Sequence, residues 1–105
     1  MMGGEVMSNL EKAKETIIRN VIEAVLGVIA QKTLIDIKVI KFDGNTFDYT
    51  KDVGVLISII IELHKIFELN FDLDLNKVEE QFSTISKIID YFLNRIIDEK
   101  ILKEK

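Results

Sequence analysis

The stretch from Asp52 to Phe71, DVGVLISIIIELHKIFELNF, constrains the chain more than any other, because it is the longest apolar run and needs covering on most sides. Its polar positions Lys51, Ser58, Glu62 and Lys65 recur at spacings of seven, four and three, which on a helix places them on one narrow stripe. The first half, VGVLISIII, also fits a buried strand, since a short apolar run has no period that separates the two. The continuation through Glu62, Leu63, His64 and Lys65 without a turn residue selects the helix. The rest of the chain must supply its cover.

A chain of 105 residues is one domain, long enough to bury a core without staples. It holds no cysteine, which excludes a disulfide framework, a thiolate nucleophile and a thiolate metal site. The net charge is -4, with lysines and acids mixed throughout, and this argues against a nucleic-acid groove or a polybasic membrane anchor. The longest uncharged run near the middle, Val53 to Ile61, falls far short of the ~20 residues of a membrane span. No positively charged segment followed by an apolar one opens the chain, so no signal peptide is read, and a cytoplasmic location is expected.

Met1 to Val6 lacks periodicity and Met7-Ser8 reads as a second start, so residues 1–7 are expected to be a disordered leader to a single domain over residues 8–105. Ser8-Asn9-Leu10-Glu11 is a capping box that predicts a helix start. Leu10, Ala13, Ile17, Val21, Ala24, Val25 and Val28 then recur at helical spacing, with an end expected near Gly27 to Ala30. Two readings stand for Lys32 to Lys51. Ile35, Ile37 and Val39 alternate with charged residues ahead of the turn signal Asp43-Gly44-Asn45, which fits a β-hairpin over residues 35–49. The other reading is a long ordered loop whose Ile37, Val39, Phe42 and Phe47 plug into the helices.

After the central helix, NFDLDLN from Asn70 to Asn76 reads as a linker with apolar pegs Phe71, Leu73 and Leu75, followed by a helical turn over Lys77 to Gln81. Ser83 is the expected cap of a last helix whose face is Ile85, Ile88, Ile89, Phe92 and Ile96. Leu93, Ile97, Ile101 and Leu102 form a second stripe.

Groupings that would carry chemistry are sparse. Asp72, Asp74 and Asn76 have the first spacings of a calcium loop, but Lys77 replaces the glycine and Ser83 the final glutamate, so they read as a polar linker and no metal is expected. His64 is the only histidine and is read as a solvated helix residue. Glu62 and Asp90 are acids beside apolar neighbours and are read as solvated helix-edge carboxylates. With no serine, histidine and acid grouping indicated by spacing, a non-enzymatic role is expected.

The predicted order of a long helix, a long loop, a central helix, a short helix and a final helix resembles the acyl carrier proteins. Val21-Ile22-Glu23-Ala24-Val25-Leu26-Gly27-Val28 is similar to the end of that family's first helix, and Leu63 to Phe71, LHKIFELNF, resembles its run of Leu, three mostly acidic residues, Phe, Gly and alternating apolar residues. Phe82-Ser83-Thr84-Ile85 with Ile89-Asp90-Tyr91-Phe92 is similar to its last helix. The resemblance covers about Ser8 to Ile97 and implies an all-α four-helix bundle with a long loop between the first two helices.

In that family a serine after an aspartate at the start of the central helix carries 4′-phosphopantetheine. Here the aspartate falls on Asp52, the serine position on Val53 and the following leucine position on Gly54, and no serine in the chain directly follows an aspartate. Valine has no oxygen to modify, so no cofactor is expected. The resemblance then implies a binding or scaffold domain in a fatty-acid or polyketide-like context, docking on a protein partner or on itself through Val53, Gly54, Val55, Ile57, Ser58, Glu62 and Lys65. The family's acidic recognition face is replaced at Val55, Ser58, His64 and Lys65. Two alternatives stay open: a specialised carrier with a non-standard attachment residue, Ser58 being the candidate, and an unrelated α+β interaction domain containing the hairpin. Asp52 has a simpler expected role as the cap of the central helix.

Overall fold

The computed structural model describes residues 2–101, and its side chains from Lys12 to Glu99. The architecture is a small all-α bundle. Helix α1 runs Met2–Thr33, α2 Thr46–Tyr49, α3 Val53–Ile66, α4 Val78–Gln81 and α5 Ile85–Ile96, with 3-10 turns at Ile37–Val39 and Leu75–Lys77 and a π-helical turn at Ile97–Ile101. At 1.5 Å per residue the 32 residues of α1 span about 48 Å, which accounts for the 51 Å long axis of the molecule.

The central helix is α3, packed by α1, by α5 through the shared core and by α4. Leu56, Ile59, Ile60 and Leu63 are buried, spaced three and four apart as one helix face requires. They meet Val21, Val25, Val28 and Ile29 of α1 and Ile85, Ile88, Ile89 and Phe92 of α5, while Phe82 and Val78 close one end. The predicted face of the last helix is thus the one it buries, with Ile96 half-buried at its end. Leu93 of the second stripe packs on the core and Ile97 is exposed, whereas Leu102 lies outside the described residues.

Several boundaries differ from expectation. α1 begins at Met2, so the segment read as a leader is helical backbone from there on, and the Ser8–Glu11 box lies within the helix instead of opening it. Among the side chains described, contact with the core begins at Ile17, since Lys12 to Thr16 are exposed; Leu10 of the expected stripe lies outside them. The helix continues past Gly27–Ala30 to Thr33. It stops where Leu34 turns left-handed at φ 62° and donates its N–H to the Ala30 carbonyl at 2.8 Å.

The central helix ends at Ile66, short of Phe71. Glu68 at φ 56° donates to the Lys65 carbonyl and Leu69 donates to the His64 carbonyl at 2.8 Å, a Schellman ending. That turn sends Leu69 back into the core as the main apolar peg of the linker. Leu73 packs beside it, while Phe71 and Leu75 stay exposed.

Residues 35–49 form no hairpin, and no strand occurs among the described residues. The α+β alternative falls with it. Asp36, read as a strand residue, caps the 3-10 turn by accepting from Lys38 N–H at 2.9 Å, and Asn45 of the turn signal caps α2 by accepting from Phe47 N–H at 2.8 Å. A two-residue hairpin turn of the favoured type needs positive φ, and no glycine among the described residues has it.

Of the proposed loop plugs only Phe47 packs inward. Ile35, Ile40 and Tyr49 are the other anchors, while Ile37, Val39 and Phe42 face out. The loop is tied to the start of α5 by a single antiparallel bridge between Asn45 and Thr84. Thr46 N–H donates to Ser83 C=O at 2.8 Å, Ile85 N–H donates to Gly44 C=O at 3.0 Å, and the buried Thr46 hydroxyl donates to Phe82 C=O at 2.7 Å. Because the Ser83 carbonyl is held there, Thr84 and not Ser83 is the cap of α5, its hydroxyl accepting from Lys87 N–H at 3.2 Å.

Candidate functional site

The start of α3 is built as a tight turn. Thr50 Oγ1 accepts from Asp52 N–H at 3.3 Å, the Asp52 carboxylate accepts from Gly54 N–H at 2.8 Å, and the Asp52 carbonyl accepts from Val55 and Leu56 N–H. Asp52 is therefore the helix cap that its position predicts. A side chain added at Gly54 would bring its Cβ to 3.1 Å from the Asp52 carboxylate, so the glycine leaves the cap room.

The residues expected to dock a partner do not form one exposed apolar patch. Gly54 and Lys65 are exposed, Val53, Ser58 and Glu62 are half-buried, and Val55 and Ile57 pack against the core. Val53 carries no hydroxyl. The side chains of α3 that do stand out are Ile61 and Ile66, which the sequence pattern did not single out.

Larger exposure lies just upstream, in the connection from α1 to α2. Leu34 is 91% exposed, Val39 58%, Phe42 52% and Ile37 43%, with Lys32, Lys38 and Lys41 exposed among them. Beside Phe42 a depression of about 420 Å³ is lined by Leu26, Ile40, Lys41 and Asp43. A second, of about 510 Å³, lies between Lys77, Glu80, Gln81 and Lys87.

The one large departure from the predicted chemistry is His64. It is 2% exposed, not solvated, and sits among the rings of Phe71, Tyr91 and Phe92 at centroid distances of 5.0, 5.5 and 5.0 Å. Its Nδ1 lies 2.7 Å from the Ile60 carbonyl, which can only accept, so Nδ1 carries the proton. Nε2 lies 2.8 Å from the Tyr91 hydroxyl and in the neutral ring accepts from it. Burial pushes the imidazole below its ordinary value, opposed by the hydrogen bond to Ile60, so the neutral form is favoured.

The chain of contacts continues through Arg95. Its Nη1 donates to Tyr91 Oη at 2.7 Å and to Asp72 Oδ1 at 3.2 Å, its Nη2 donates to Asn70 C=O at 3.2 Å, and its Nε pairs with Glu99. Burial raises the Tyr91 hydroxyl above its ordinary value against the opposing guanidinium. Periodicity alone could have found His64, because it stands four residues after Ile60 and eight after Leu56 on the buried face.

This arrangement clasps α3, the Asn70–Asp72 linker and α5, and both imidazole nitrogens are engaged within the fold. The Nε2 lone pair accepts from the Tyr91 hydroxyl, and neither of these two surface depressions is lined by His64, Tyr91 or Arg95. Among the described residues no group of three or more histidines and carboxylates could hold a metal. Asp74, from the calcium-like spacing, caps a 3-10 turn by accepting from Asn76 N–H, and Asp72 pairs with Arg95. No protein-family model, curated protein or solved structure matches the chain. Among the described residues no helix is long and apolar enough to cross a membrane.

Proposed function

We propose that this chain is an acyl-carrier-like docking domain that works by binding a protein partner and carries no prosthetic arm. One observation carries the reading: an aspartate caps the start of the central, 14-residue helix, and the next residue, where a carrier has its serine, is Val53. The element order supports it, with a long first helix, a long connection, the capped α3, the one-turn α4 and the final α5. The context of such a domain is fatty-acid or polyketide-like synthesis, and its partner is an enzyme that handles carriers, or a carrier itself. Ser58 is a poorer attachment point, being half-buried one turn inside α3.

The test is a gain of function. Wild-type protein is incubated with coenzyme A and a broad-specificity phosphopantetheinyl transferase and weighed intact, beside Val53→Ser and the double variant Val53→Ser/Gly54→Leu. The expected result is no change for the wild type and one added arm on the double variant. An arm on the wild type would make it a working carrier, with fragmentation locating the hydroxyl. A folded double variant left unmodified, while an authentic carrier is modified in the same tube, would remove the carrier-like reading.

A further inference from the structure

The rings that flank the His64 imidazole are held very unequally. Tyr91 and Phe92 stand on α5, whose apolar face is locked into the core, and Phe92 is fully buried. Phe71 stands edge-on to the imidazole from the linker after α3, yet it is 38% exposed and lies outside the core cluster. Its segment, Asn70 to Asp72, runs between two apolar anchors, Leu69 and Leu73. Among the described residues no backbone–backbone hydrogen bond involves residues 70–72. Their polar ties run to one side chain: Arg95 donates from Nη2 to the Asn70 carbonyl and from Nη1 to the Asp72 carboxylate, each at 3.2 Å.

The hydrogen bonds around the imidazole suit only its neutral form. Nδ1–H donates to Ile60 C=O, and Nε2 accepts from the Tyr91 hydroxyl, whose oxygen accepts from Arg95 Nη1. A further proton turns Nε2 into a donor. Two cationic groups then aim N–H at one phenol oxygen, and the phenol proton loses its acceptor. The titratable groups facing the ring are Tyr91 and Arg95 from α5, Asp72 from the linker and Glu99 from the π-helical turn. Burial weighs most against the added charge and Arg95 opposes it too, while Asp72 and Glu99 favour it but are already engaged by Arg95. Water at the ring relieves the burial. The side of the cage that yields most easily is Phe71, because lifting it breaks two bonds to Arg95 and leaves the core packing in place.

We infer that Asn70–Asp72 is a hinged cover over His64, pivoting between Leu69 and Leu73, that opens when the imidazole takes up a proton and lets water reach the ring while α1, α3 and α5 stay packed. The inference does not rest on the carrier-like reading, and either can fail alone. With the cover open the ring titrates near its ordinary value of 6.5, and with the cover closed below it. The open fraction therefore rises as the pH falls through that window, by at most about tenfold per pH unit.

His64 is the only histidine, so its ring signals report its charge without ambiguity. The full isotope-labelled chain is followed by NMR from about pH 7.5 to about pH 5. The ring signals and the amides of Asn70, Phe71 and Asp72 are expected to move with one shared midpoint below the ordinary histidine value. Those three amides should lose order as they move, while the amides of Ile59, Ile60, Ile88 and Ile89 stay protected from hydrogen exchange. In Arg95→Gln, which lacks both ties, the cover should be open already at neutral pH and the ring midpoint should rise toward the ordinary value. In His64→Phe the three amides should hold one position across the range. Should that variant fail to fold, Arg95→Gln carries the test. A ring that titrates while the three amides stay still, core amides that lose protection at the same midpoint, or an Arg95→Gln cover that stays ordered overturns the inference. So does a linker transition that survives in folded His64→Phe, which would assign the change to a carboxylate.

Discussion

The Tyr91 hydroxyl donates to His64 Nε2 across 2.8 Å and accepts from Arg95 Nη1 at 2.7 Å, so one phenol oxygen joins the central helix to the last helix and, through Arg95, to Asp72 in the linker. Tyr91→Phe keeps the ring and removes that oxygen. The buried Nε2 then has no donor, and leaving a buried acceptor unpaired costs about 1–3 kcal/mol. Urea unfolding should show a lower midpoint at unchanged slope. Replacing both partners, in His64→Phe/Tyr91→Phe, should cost less than the two single changes together, since no unpaired acceptor remains.

Acid should weaken the same contact. Burial lowers the folded-state pKa of His64 below the ordinary value of 6.5, so the unfolded chain binds the proton first. Stability is therefore complete above pH ~6.5 and falls as the pH drops below it toward the lowered folded value, by at most about 1.4 kcal/mol per pH unit. The charged groups around the ring are Arg95, which disfavours imidazolium, and Asp72 and Glu99, which favour it. Unfolding midpoints measured between pH 7 and pH 5 (~2 units) check this. A His64→Gln variant should lose the part of the slope that begins near the histidine value, while keeping any due to carboxylates at lower pH.

Gly44 and Tyr49 make a steric pair. A Cβ at Gly44 would lie 2.6 Å from Tyr49 Oη and 3.0 Å from the Lys41 carbonyl, while Oη is held by Lys41 N–H at 3.0 Å. Gly44→Ala must push the tyrosine off that bond and should destabilise by about 1–3 kcal/mol, the range for overpacking. In a Tyr49→Phe background the oxygen is gone and the same alanine should cost less. Thermal or urea melts of the four proteins give the coupling directly.

Spacing along the chain was a good guide wherever burial decides structure. The core faces of α3 and α5, the apolar stripe of α1 from Ile17 and the Asp52 cap all follow from periodicity and cap chemistry. It failed where one residue type serves two kinds of turn. Asp36, Asn45 and Gly44 suit a hairpin, yet they cap two short helical turns and bridge to Thr84. Ser83 and Thr84 are both good caps, and only the long-range bond from Thr46 N–H to Ser83 C=O separates them. His64 was misread because a lone polar residue suggests solvent. Its position on the Leu56–Ile60 face was the better clue, and its partner Tyr91 lies 27 residues away. The docking surface expected at Val53 to Lys65 proved mostly half-buried, and the more exposed apolar surface lies in the connection whose backbone could not be read.

Leu34 closes α1 under strain and with its side chain in solvent. At φ 62° it closes α1 in a conformation that costs an L-residue with a Cβ roughly 1–2 kcal/mol, and its side chain makes up for little because it is 91% exposed. Leu34→Gly removes the strain and gives back part of the gain by loosening the unfolded chain, leaving a net stabilisation of about 0.5–1 kcal/mol. A raised midpoint of urea unfolding is the expected outcome. A lowered midpoint would instead show that Leu34 stabilises the bundle through contacts of its own.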